Sequence, residues 1–431
     1  MRYCVLQLAL AAFLVLTTGA VAATDDPQHL GVATCASSTC HGAAKTAASG
    51  NIQANEYVIW SRHDPHAGAY STLLEERSRV MAKRLGIGAP ERSADCLNCH
   101  TDNVATDARG PRFQLDDGIG CETCHGGAEA WLASHDDRSS GTRAASLAAG
   151  MVDLTDPATR AEVCMGCHIG ADTSATRFAS HRLMAAGHPR LGFELDTFTE
   201  LWRSHEGRTH FRRDADYLQR KPEPASVQVW ARGLAAAAAV QAKLIAARRG
   251  EAGALPDFAL FNCYSCHRAM RLDDWRDKAE VGGEPGALRF DDSAITMLLA
   301  ALGQRPTLRD ALQRDSARLQ AAAGAPTATV RSAAATLSAS LNRVLAELER
   351  KPLSATESEQ ALATLARAAS RGAYPDYTRA EQAAMGVVIL AAGTGKADQH
   401  RAAIDALFQA LEDDDRYDPR RFGAALDALG R

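Results

Sequence analysis

The C-terminal third of the chain repeats apolar side chains at the spacing of α-helices. Between residues 330 and 348 they recur at intervals of three or four, which places them on one helix face. They are Val330, Ala334, Leu337, Leu341, Val344, Leu345 and Leu348. Prolines at 306, 326, 352 and 375 separate this and the other alanine- and leucine-rich segments. We therefore predict an α-helical bundle over residues 291–431.

Two four-residue segments in this region have the form of a helix-starting capping box, Ser354–Glu357 and Thr378–Glu381. The pattern is weaker before residue 278, where helices are predicted at 69–85, 195–205 and 225–249 and no alternation indicates a sheet. Glycine and proline interrupt residues 278–290, which we take as a linker. The chain is predicted to be mainly α, with little regular structure in residues 23–277.

Composition narrows the possible partners. The 431 residues include 48 basic and 52 acidic side chains, which give a net charge of -4, and 46% of the residues are hydrophobic. This length favours two domains. Because there is no cationic excess to follow a phosphate backbone, a nucleic-acid partner is not expected.

The N-terminus has the features of a secretory signal peptide over residues 1–22. Arg2 precedes an apolar run from Val5 to Leu16, and Ala20 to Ala22 offer small residues for cleavage. The alternative is an uncleaved anchor, but the run is shorter than the roughly 20 residues of a membrane-spanning helix. We expect export to the periplasm, with membrane association only if the peptide is uncleaved.

The cysteines carry the main chemical signal. Cys4 lies in the signal peptide, and the other ten form five pairs that are each followed at once by histidine. Four pairs have the form C-x-x-C-H, and the first has the form C-x4-C-H. The five motifs are Cys35, Cys40 and His41; Cys96, Cys99 and His100; Cys121, Cys124 and His125; Cys164, Cys167 and His168; and Cys263, Cys266 and His267.

This spacing is the attachment signature of c-type haem, in which two thiols bond the porphyrin and the adjacent imidazole binds the iron. We predict five covalently bound haem c groups, hence iron, in residues 23–277. Zinc sites would not need a histidine after each pair, and a thioredoxin-like dithiol would occur once. For the first motif, with its longer loop, a disulfide remains the alternative.

A second iron ligand must come from elsewhere in the chain. The favoured histidines are His66, His135, His181, His188 and His210. Other candidates are His29, His63, His205, Met151 and Met184. His400 lies in the predicted bundle, and we expect it to be a surface residue.

Local spacing supports three of these ligands. His181 and His188 are seven residues apart, so on one helix they would share a face and address two irons, with Pro189 ending that helix. Pro65 can start a helix with His66 in its first turn. Histidine at both axial positions is the default, which implies lower reduction potentials than histidine with methionine.

Residues 29 to about 277 resemble the cytochrome c-554 family, relatives of the hydroxylamine oxidoreductase type. The matching features are the attachment motifs, the segment from Trp60 to Tyr70, and Gly120–Gly126 followed by His135. The resemblance implies periplasmic electron transfer through closely packed haems, and it supports His66 and His135 as ligands. The namesake resembles a four-haem protein without the C-terminal helices. Pentahaem nitrite reductases use a lysine at the catalytic motif, whereas every motif here ends in histidine.

Two functions remain open from the sequence. The first is an electron carrier between a donor and an acceptor protein, in which every iron has six ligands. The second is an oxidoreductase with one open iron that converts a small nitrogen or sulfur compound. The helical domain is either a scaffold or a surface for docking or dimerisation, and the sequence leaves the oligomeric state undetermined.

Overall fold

The computed structural model describes residues 27–45, 53–137, 141–203, 210, 215–220, 223–248, 257–267 and 288–430. Within these ranges the chain is mainly α-helical and forms no strand, which confirms the predicted fold class. Its extended pairings are isolated bridges, one of which joins His29 to Arg109. The predicted signal peptide and most of the predicted linker lie outside the described residues.

The N-terminal part consists mostly of short helices joined by turns. Its α-helices are α1 Val32–Cys35, α2 Glu56–His63, α3 Glu76–Leu85, α4 Ala94–His100, α5 Cys121–His125, α6 Leu132–Asp136, α7 Arg143–Ala148, α8 Pro157–His168, α9 His181–Ala185, α10 Leu195–Arg203 and α11 Ala215–Arg220. The 3-10 helices are Ser71–Leu74, Pro90–Arg92, Thr106–Ala108 and Leu115–Asp117. We call residues 27–203, which contain the first four motifs, the attachment region.

Longer helices form the rest of the molecule. They are α12 Ser226–Arg248, α13 Ser293–Ala301, α14 Pro306–Ala321, α15 Thr327–Arg350, α16 Ala355–Ala369, α17 Tyr377–Gly393, α18 Arg401–Gln409 and α19 Pro419–Asp427. Short 3-10 helices cover Phe258–Leu260, Cys263–Ser265, Asp414–Arg416 and Ala428–Gly430. Helices α12 to α19 share one hydrophobic core and are called the bundle below.

The sequence pattern accounts for most of the bundle. Six of the seven apolar positions singled out along α15 are buried, and Leu345 packs against the core from a partly buried position. Ser354 and Glu357 form the predicted capping box at the start of α16. The second predicted box is wrong, because α17 begins at Tyr377 and Asp376 caps it by accepting from the backbone N–H of Arg379.

Helix α12 joins the two parts of the molecule. It packs against α15 and α13 in the bundle and against α8 in the attachment region. It is long and apolar enough to cross a membrane, but 78% of its most apolar stretch is buried inside the molecule. The sequence assigns this helix to the predicted cytochrome domain, residues 23–277. In the structure it lies in the core of the bundle.

His400 also differs from expectation. Its side chain is buried, with 8% of its surface exposed, at the residue before α18. The predicted surface position is therefore wrong, because neighbouring helices of the bundle cover this residue.

Candidate functional site

Three of the five motifs lie on α-helices. Helices α4 and α8 each end at the motif histidine, and α5 consists of the motif residues Cys121–His125. On a helix, residues i, i+3 and i+4 share one face. Both thiols and the imidazole of each of these three motifs therefore lie on the same side of the helix, as attachment to one planar porphyrin requires.

The first motif reaches a similar backbone closure despite its two extra residues. In the fifth motif, the His267 N–H donates to the Cys263 carbonyl over 2.7 Å. In the first, a turn in which the Cys40 N–H donates to the Ser37 carbonyl takes up the insertion, and the His41 N–H still donates to the Cys35 carbonyl over 3.2 Å. The longer loop is thus compatible with the same kind of attachment.

The structure brings four motif histidines to four of the histidines predicted as second ligands. The ring centroids are 6.0 Å apart for His41 and His135, 6.2 Å for His168 and His66, 6.5 Å for His100 and His188, and 6.1 Å for His267 and His181.

These separations suit one iron between each pair of imidazoles. With a metal–nitrogen bond of about 2 Å on each side, two imidazoles on one metal have their centroids about 6 Å apart. All ten motif cysteines are free, as haem attachment requires. The residues present therefore fit bis-histidine haem c at four motifs.

Hydrogen bonds at the Nδ1 atoms set the orientation of several of these rings. His41 donates to Glu56 Oε2 at 2.9 Å and His66 to Asp64 Oδ1 at 2.9 Å. The corresponding acceptors are the Ala69 carbonyl for His100, at 2.9 Å, and the Pro189 carbonyl for His188, at 2.8 Å. A metal-binding histidine commonly donates its other N–H in this way, which leaves Nε2 as the metal ligand.

Glu56 and Asp64 are functional residues that the sequence interpretation missed. Desolvation acts to raise the pKa of Glu56, but hydrogen bonds from His41 and backbone N–H groups outweigh it and the pKa is lowered. The Asp64 hydrogen bond raises the pKa of His66 against the effect of desolvation. The position of Asp64 two residues before His66 could have indicated this hydrogen bond from the sequence. No local pattern links Glu56 to His41, which is 15 residues earlier.

His66 lies in a turn rather than in a helix started by Pro65, which corrects that expectation. Its backbone is held against the chain that precedes the third motif, because its carbonyl accepts from the Ile119 N–H at 3.0 Å. Gly118 makes this approach possible, since it has φ +72° and an added Cβ would lie 2.7 Å from the His66 carbonyl oxygen.

His181 and His188 do not share a helix, because α9 ends at Ala185 and Gly187 has φ +119°. Helix α3 instead holds the segment before His188, since Arg84 and Arg77 donate to the carbonyls of Ala186 and Gly187, each at 2.9 Å. The two histidines still face different motifs, as the sequence spacing suggested.

His135 and His181 are each fixed by a neighbouring aromatic ring. His135 lies on α6 and meets the edge of buried Trp131 at 5.4 Å between centroids. His181 packs edge to face on Phe258 at 5.7 Å, and its backbone N–H donates to Asp257. A neighbouring aromatic side chain therefore restricts the orientation of each imidazole.

The third motif differs from the other four. Desolvation lowers the pKa of His125 to about 4, and the next contribution is the charge of His210. The pKa of His210 is also lowered, because surrounding protein atoms disfavour its protonated form although the side chain retains exposed surface. Among the described residues, His125 has no ring contact like those of the four pairs.

The remaining candidate ligands are placed as follows. His29 donates from Nδ1 to Asp102 Oδ2 at 2.6 Å and lies beside Gly127, two residues after His125. His63 ends α2 with an exposed side chain. His205 lies outside the described residues.

Thiol contacts show which motifs are neighbours. A hydrogen bond between the Cys35 and Cys121 thiols lowers the pKa of Cys35 and raises that of Cys121. The same contact between Cys99 and Cys167 lowers the pKa of Cys167 to about 7. The first motif is thus adjacent to the third, and the second to the fourth.

Two further contacts complete this arrangement. The pKa of Cys124 is raised to about 12 by desolvation and then by the charge of Cys164, which brings the third motif near the fourth. A cavity of about 160 Å³ is lined by both His168 and Cys263, and so lies between the fourth and fifth motifs. Arg190, in ion-pair contact with Glu381 of α17 at 3.2 Å, also lines it.

Zinc is not favoured by the arrangement of side chains. A metal ion without a porphyrin needs at least three ligand atoms close together. In the described part of the chain, the group that meets this condition is the exposed run Asp413–Asp415. The motif cysteines do not form such a group there, although a tetrahedral zinc site would require one.

Comparison with known proteins agrees with this geometry. Residues 28–126 match the family model of cytochrome c554 and c-prime. This part of the chain is similar to the cytochrome c554 family. The similarity supports a c-type cytochrome with covalently bound haem and iron that acts in electron transfer. Cytochrome c554 proteins are typically exported.

The cytochrome c554 match includes the first three motifs and His66, and it ends before His135 and the last two motifs. No curated protein and no solved structure matches the chain. The resemblance beyond residue 126 therefore remains a prediction.

Proposed function

We propose that this chain is an exported five-haem cytochrome that carries electrons between a donor and an acceptor protein. The observation that carries the proposal is the set of four imidazole pairs with centroids 6.0 to 6.5 Å apart, each joining a motif histidine to a histidine from another part of the chain. Each pair would supply two nitrogen ligands to one haem iron, which would leave no coordination site for a substrate at those four irons.

The ligand set follows from these pairs. The ten motif cysteines would hold the porphyrins, and each motif histidine would supply one iron ligand. The second ligand would be His135 for the first motif, His188 for the second, His210 for the third, His66 for the fourth and His181 for the fifth. The assignment of His210 to His125 rests on their electrostatic interaction.

Haem c supplies a one-electron ferric/ferrous couple when bound. The protein's part is to hold each imidazole in one orientation and to keep water away. Glu56, Asp64 and the carbonyls of Ala69 and Pro189 do the first by accepting from Nδ1. Partly buried cysteines in the first four motifs limit access of water, whereas both cysteines of the fifth are exposed.

The contacts between motifs support an order of electron transfer. The first motif adjoins the third, the third adjoins the fourth, and the fourth adjoins the second and faces the cavity shared with the fifth. With haem bound at each motif, this order would connect the first site through the third to the fourth, where the path would branch. The exposed fifth motif is the natural exchange point with one of the two redox partners.

Export to the periplasm is supported by the predicted signal peptide over residues 1–22. Proteins of the matching family are also typically exported. Ten cysteines in an oxidising compartment would tend to form disulfides unless haem attachment used them. All ten are free in the structure.

An oxidoreductase with one open iron is the second candidate, and the third motif favours it. Among described residues, His125 has no imidazole at the spacing of the other pairs, and its proposed partner His210 is not in ring contact with it. A small nitrogen or sulfur compound would then bind opposite His125.

Mass spectrometry and electron paramagnetic resonance test the proposal. The denatured protein should retain five covalent haem masses, and the ferric protein should give only low-spin signals and no carbon monoxide shift on reduction. His210→Ala should then convert one of five irons to a high-spin form that binds carbon monoxide. The control His63→Ala should leave the spectra unchanged, because His63 forms none of the four histidine pairs.

Other outcomes would change the conclusion. Fewer than five covalent haems would overturn the five-haem assignment. A high-spin iron that binds carbon monoxide in the unmodified protein would favour the oxidoreductase. A low-spin spectrum that His210→Ala does not alter would remove His210 as the ligand and direct attention to His29.

A further inference from the structure

A buried carboxylate lies inside the third motif. Glu122 occupies the position between Cys121 and Thr123 on α5, and only 4% of its surface is exposed. Its two oxygens accept three backbone N–H groups, each at 2.7 Å. Leu30 and Ala128 donate to Oε1, and Gly31 donates to Oε2.

The three donors come from both sides of an interface between motifs. Leu30 and Gly31 directly precede α1, which ends at Cys35 of the first motif. Ala128 belongs to the loop after His125. The backbone at Gly31 accepts no larger residue, because it has φ +93° and an added Cβ would lie 2.1 Å from the Arg112 carbonyl oxygen. The N–H group that donates to Glu122 is therefore held in place. Glu122 therefore fixes the first motif against the third.

The same carboxylate is close to the two attachment sites. Its negative charge acts on the Cys35 thiol and on the Cys121 thiol, which are hydrogen-bonded to each other. All three partners of Glu122 are N–H donors, an arrangement that satisfies an ionised carboxylate. A buried charge is screened far less than a charge at the surface, so its field extends to groups on both motifs.

Reduction of a haem adds one electron to the site, and a fixed negative charge nearby opposes that addition. Local charge and burial are among the factors by which a protein sets the reduction potential of a haem. A buried carboxylate between two attachment sites should therefore lower both potentials together.

We propose that Glu122 is the positioning residue that holds the first and third haem sites together and the fixed charge that lowers the reduction potentials of both. This inference rests on haem attachment at the first and third motifs, as proposed above. Glu122 therefore has two roles, one in positioning the two motifs and one in supplying charge. Different substitutions of this residue separate the two roles.

The test uses the full-length holoprotein with Glu122→Gln, which keeps the size of the side chain and removes its charge. Glu129→Gln is the matched control, because Glu129 accepts from the Gln28 N–H at 2.8 Å in the same stretch of chain but is exposed. Haem content is measured by mass spectrometry, and potentials by spectroelectrochemical titration. We expect five haems in both variants and an upward shift of two of the five potentials in Glu122→Gln alone.

Glu122→Asp keeps the charge and covers the case in which Glu122→Gln fails to load its haems. We expect this variant to carry five haems with potentials equal to those of the unmodified protein. Five haems with unchanged potentials in Glu122→Gln would overturn the electrostatic role, as would two raised potentials in Glu122→Asp. Fewer than five haems in the unmodified protein would instead contradict the proposed function.

Discussion

Trp131 and Trp230 are both buried, but they have different surroundings. Trp230 of α12 is fully buried in the bundle and packs against α17, where a Cβ added to Gly386 would lie 3.1 Å from its ring. Trp131 in the attachment region lies against His135, a proposed iron ligand. The bundle builds its core from its own apolar side chains, whereas in the attachment region Trp131 and Phe193 lie against histidines of the facing pairs.

The helices differ in the same way. In the bundle, α15 and α17 have 24 and 17 residues and bury continuous rows of apolar side chains. In the attachment region, α1, α5 and α9 have four or five residues each. Helices this short are not stable alone. The comparison indicates that the proposed porphyrins would supply core that the attachment region lacks, since each is a large apolar body.

The strongest way to break this comparison is to remove haem attachment altogether. A full-length chain in which all ten motif cysteines are changed to serine should lose protease resistance throughout residues 27–203. Helices α12 to α19 should remain resistant, because their core is formed by protein alone. Limited proteolysis with mass mapping of the fragments measures this.

The unmodified holoprotein is the reference for that experiment. Equal resistance of residues 27–203 with and without haem attachment would show that the attachment region has a sufficient core of its own.

Removal of Trp230 should have the next largest effect, and it should be confined to the bundle. Trp230→Ala deletes a fully buried side chain, and substitutions of this kind cost about 3 to 5 kcal/mol. Denaturant unfolding followed by far-ultraviolet circular dichroism gives the free energy of unfolding.

The matched control is Phe408→Ala, because Phe408 is 45% exposed on α18. A loss there of more than about 1 kcal/mol, or a loss from Trp230→Ala no larger than that, would contradict the packing described.

A smaller effect is expected from the buried ion pair of Arg305 and Glu357. Arg305 Nε donates to Glu357 Oε1 at 2.8 Å, and Ser354 also donates to this carboxylate. The Arg305 hydrogen bond and the Ser354 bonds lower the pKa of Glu357 from 4.5 to about 2 against desolvation. Glu357→Gln should destabilise the bundle by up to about 3 kcal/mol at pH 7, because the buried Arg305 charge then keeps only the longer ion pair with Glu347, at 3.8 Å.

The pH dependence has a definite sign. Because the pKa of Glu357 is lower in the folded protein, its stabilisation is complete above pH 4.5 and is lost as the pH falls towards 2. The difference in free energy of unfolding between Glu357→Gln and the unmodified protein should therefore shrink across that range. Glu359→Gln is the control, since Glu359 forms an exposed pair with Lys396 and should cost less than about 1 kcal/mol at any pH.

The sequence was a good guide to the bundle because local signals there agree with the tertiary structure. The apolar row of α15 and the Ser354 capping box both depend on residues within one helix. The Thr378 box failed because Asp376, two residues earlier, offers a carboxylate that caps the helix from a different position. Which helices pack together could not be predicted, and α12 shows why, since it is apolar on most of its surface.

In the candidate site, spacing predicted the motifs and five partner histidines, but it could not predict which residues would face each other. His188 reaches His100 through contacts from Arg77 and Arg84 on α3, more than 100 residues earlier in the chain. The helix expected to carry it ends at Ala185. Three-dimensional contacts of this kind leave no local trace in the sequence.

The position of α12 has a practical consequence for anyone who wishes to divide the gene. A fragment that starts at residue 291 would lack the helix against which α15 packs, and one that stops at residue 277 would carry that helix with its bundle face uncovered. Because α12 also lies against α8, which ends at His168, a cut on either side exposes apolar surface. The cytochrome part and the helical part should therefore be expressed or transplanted together, with α12 kept between them.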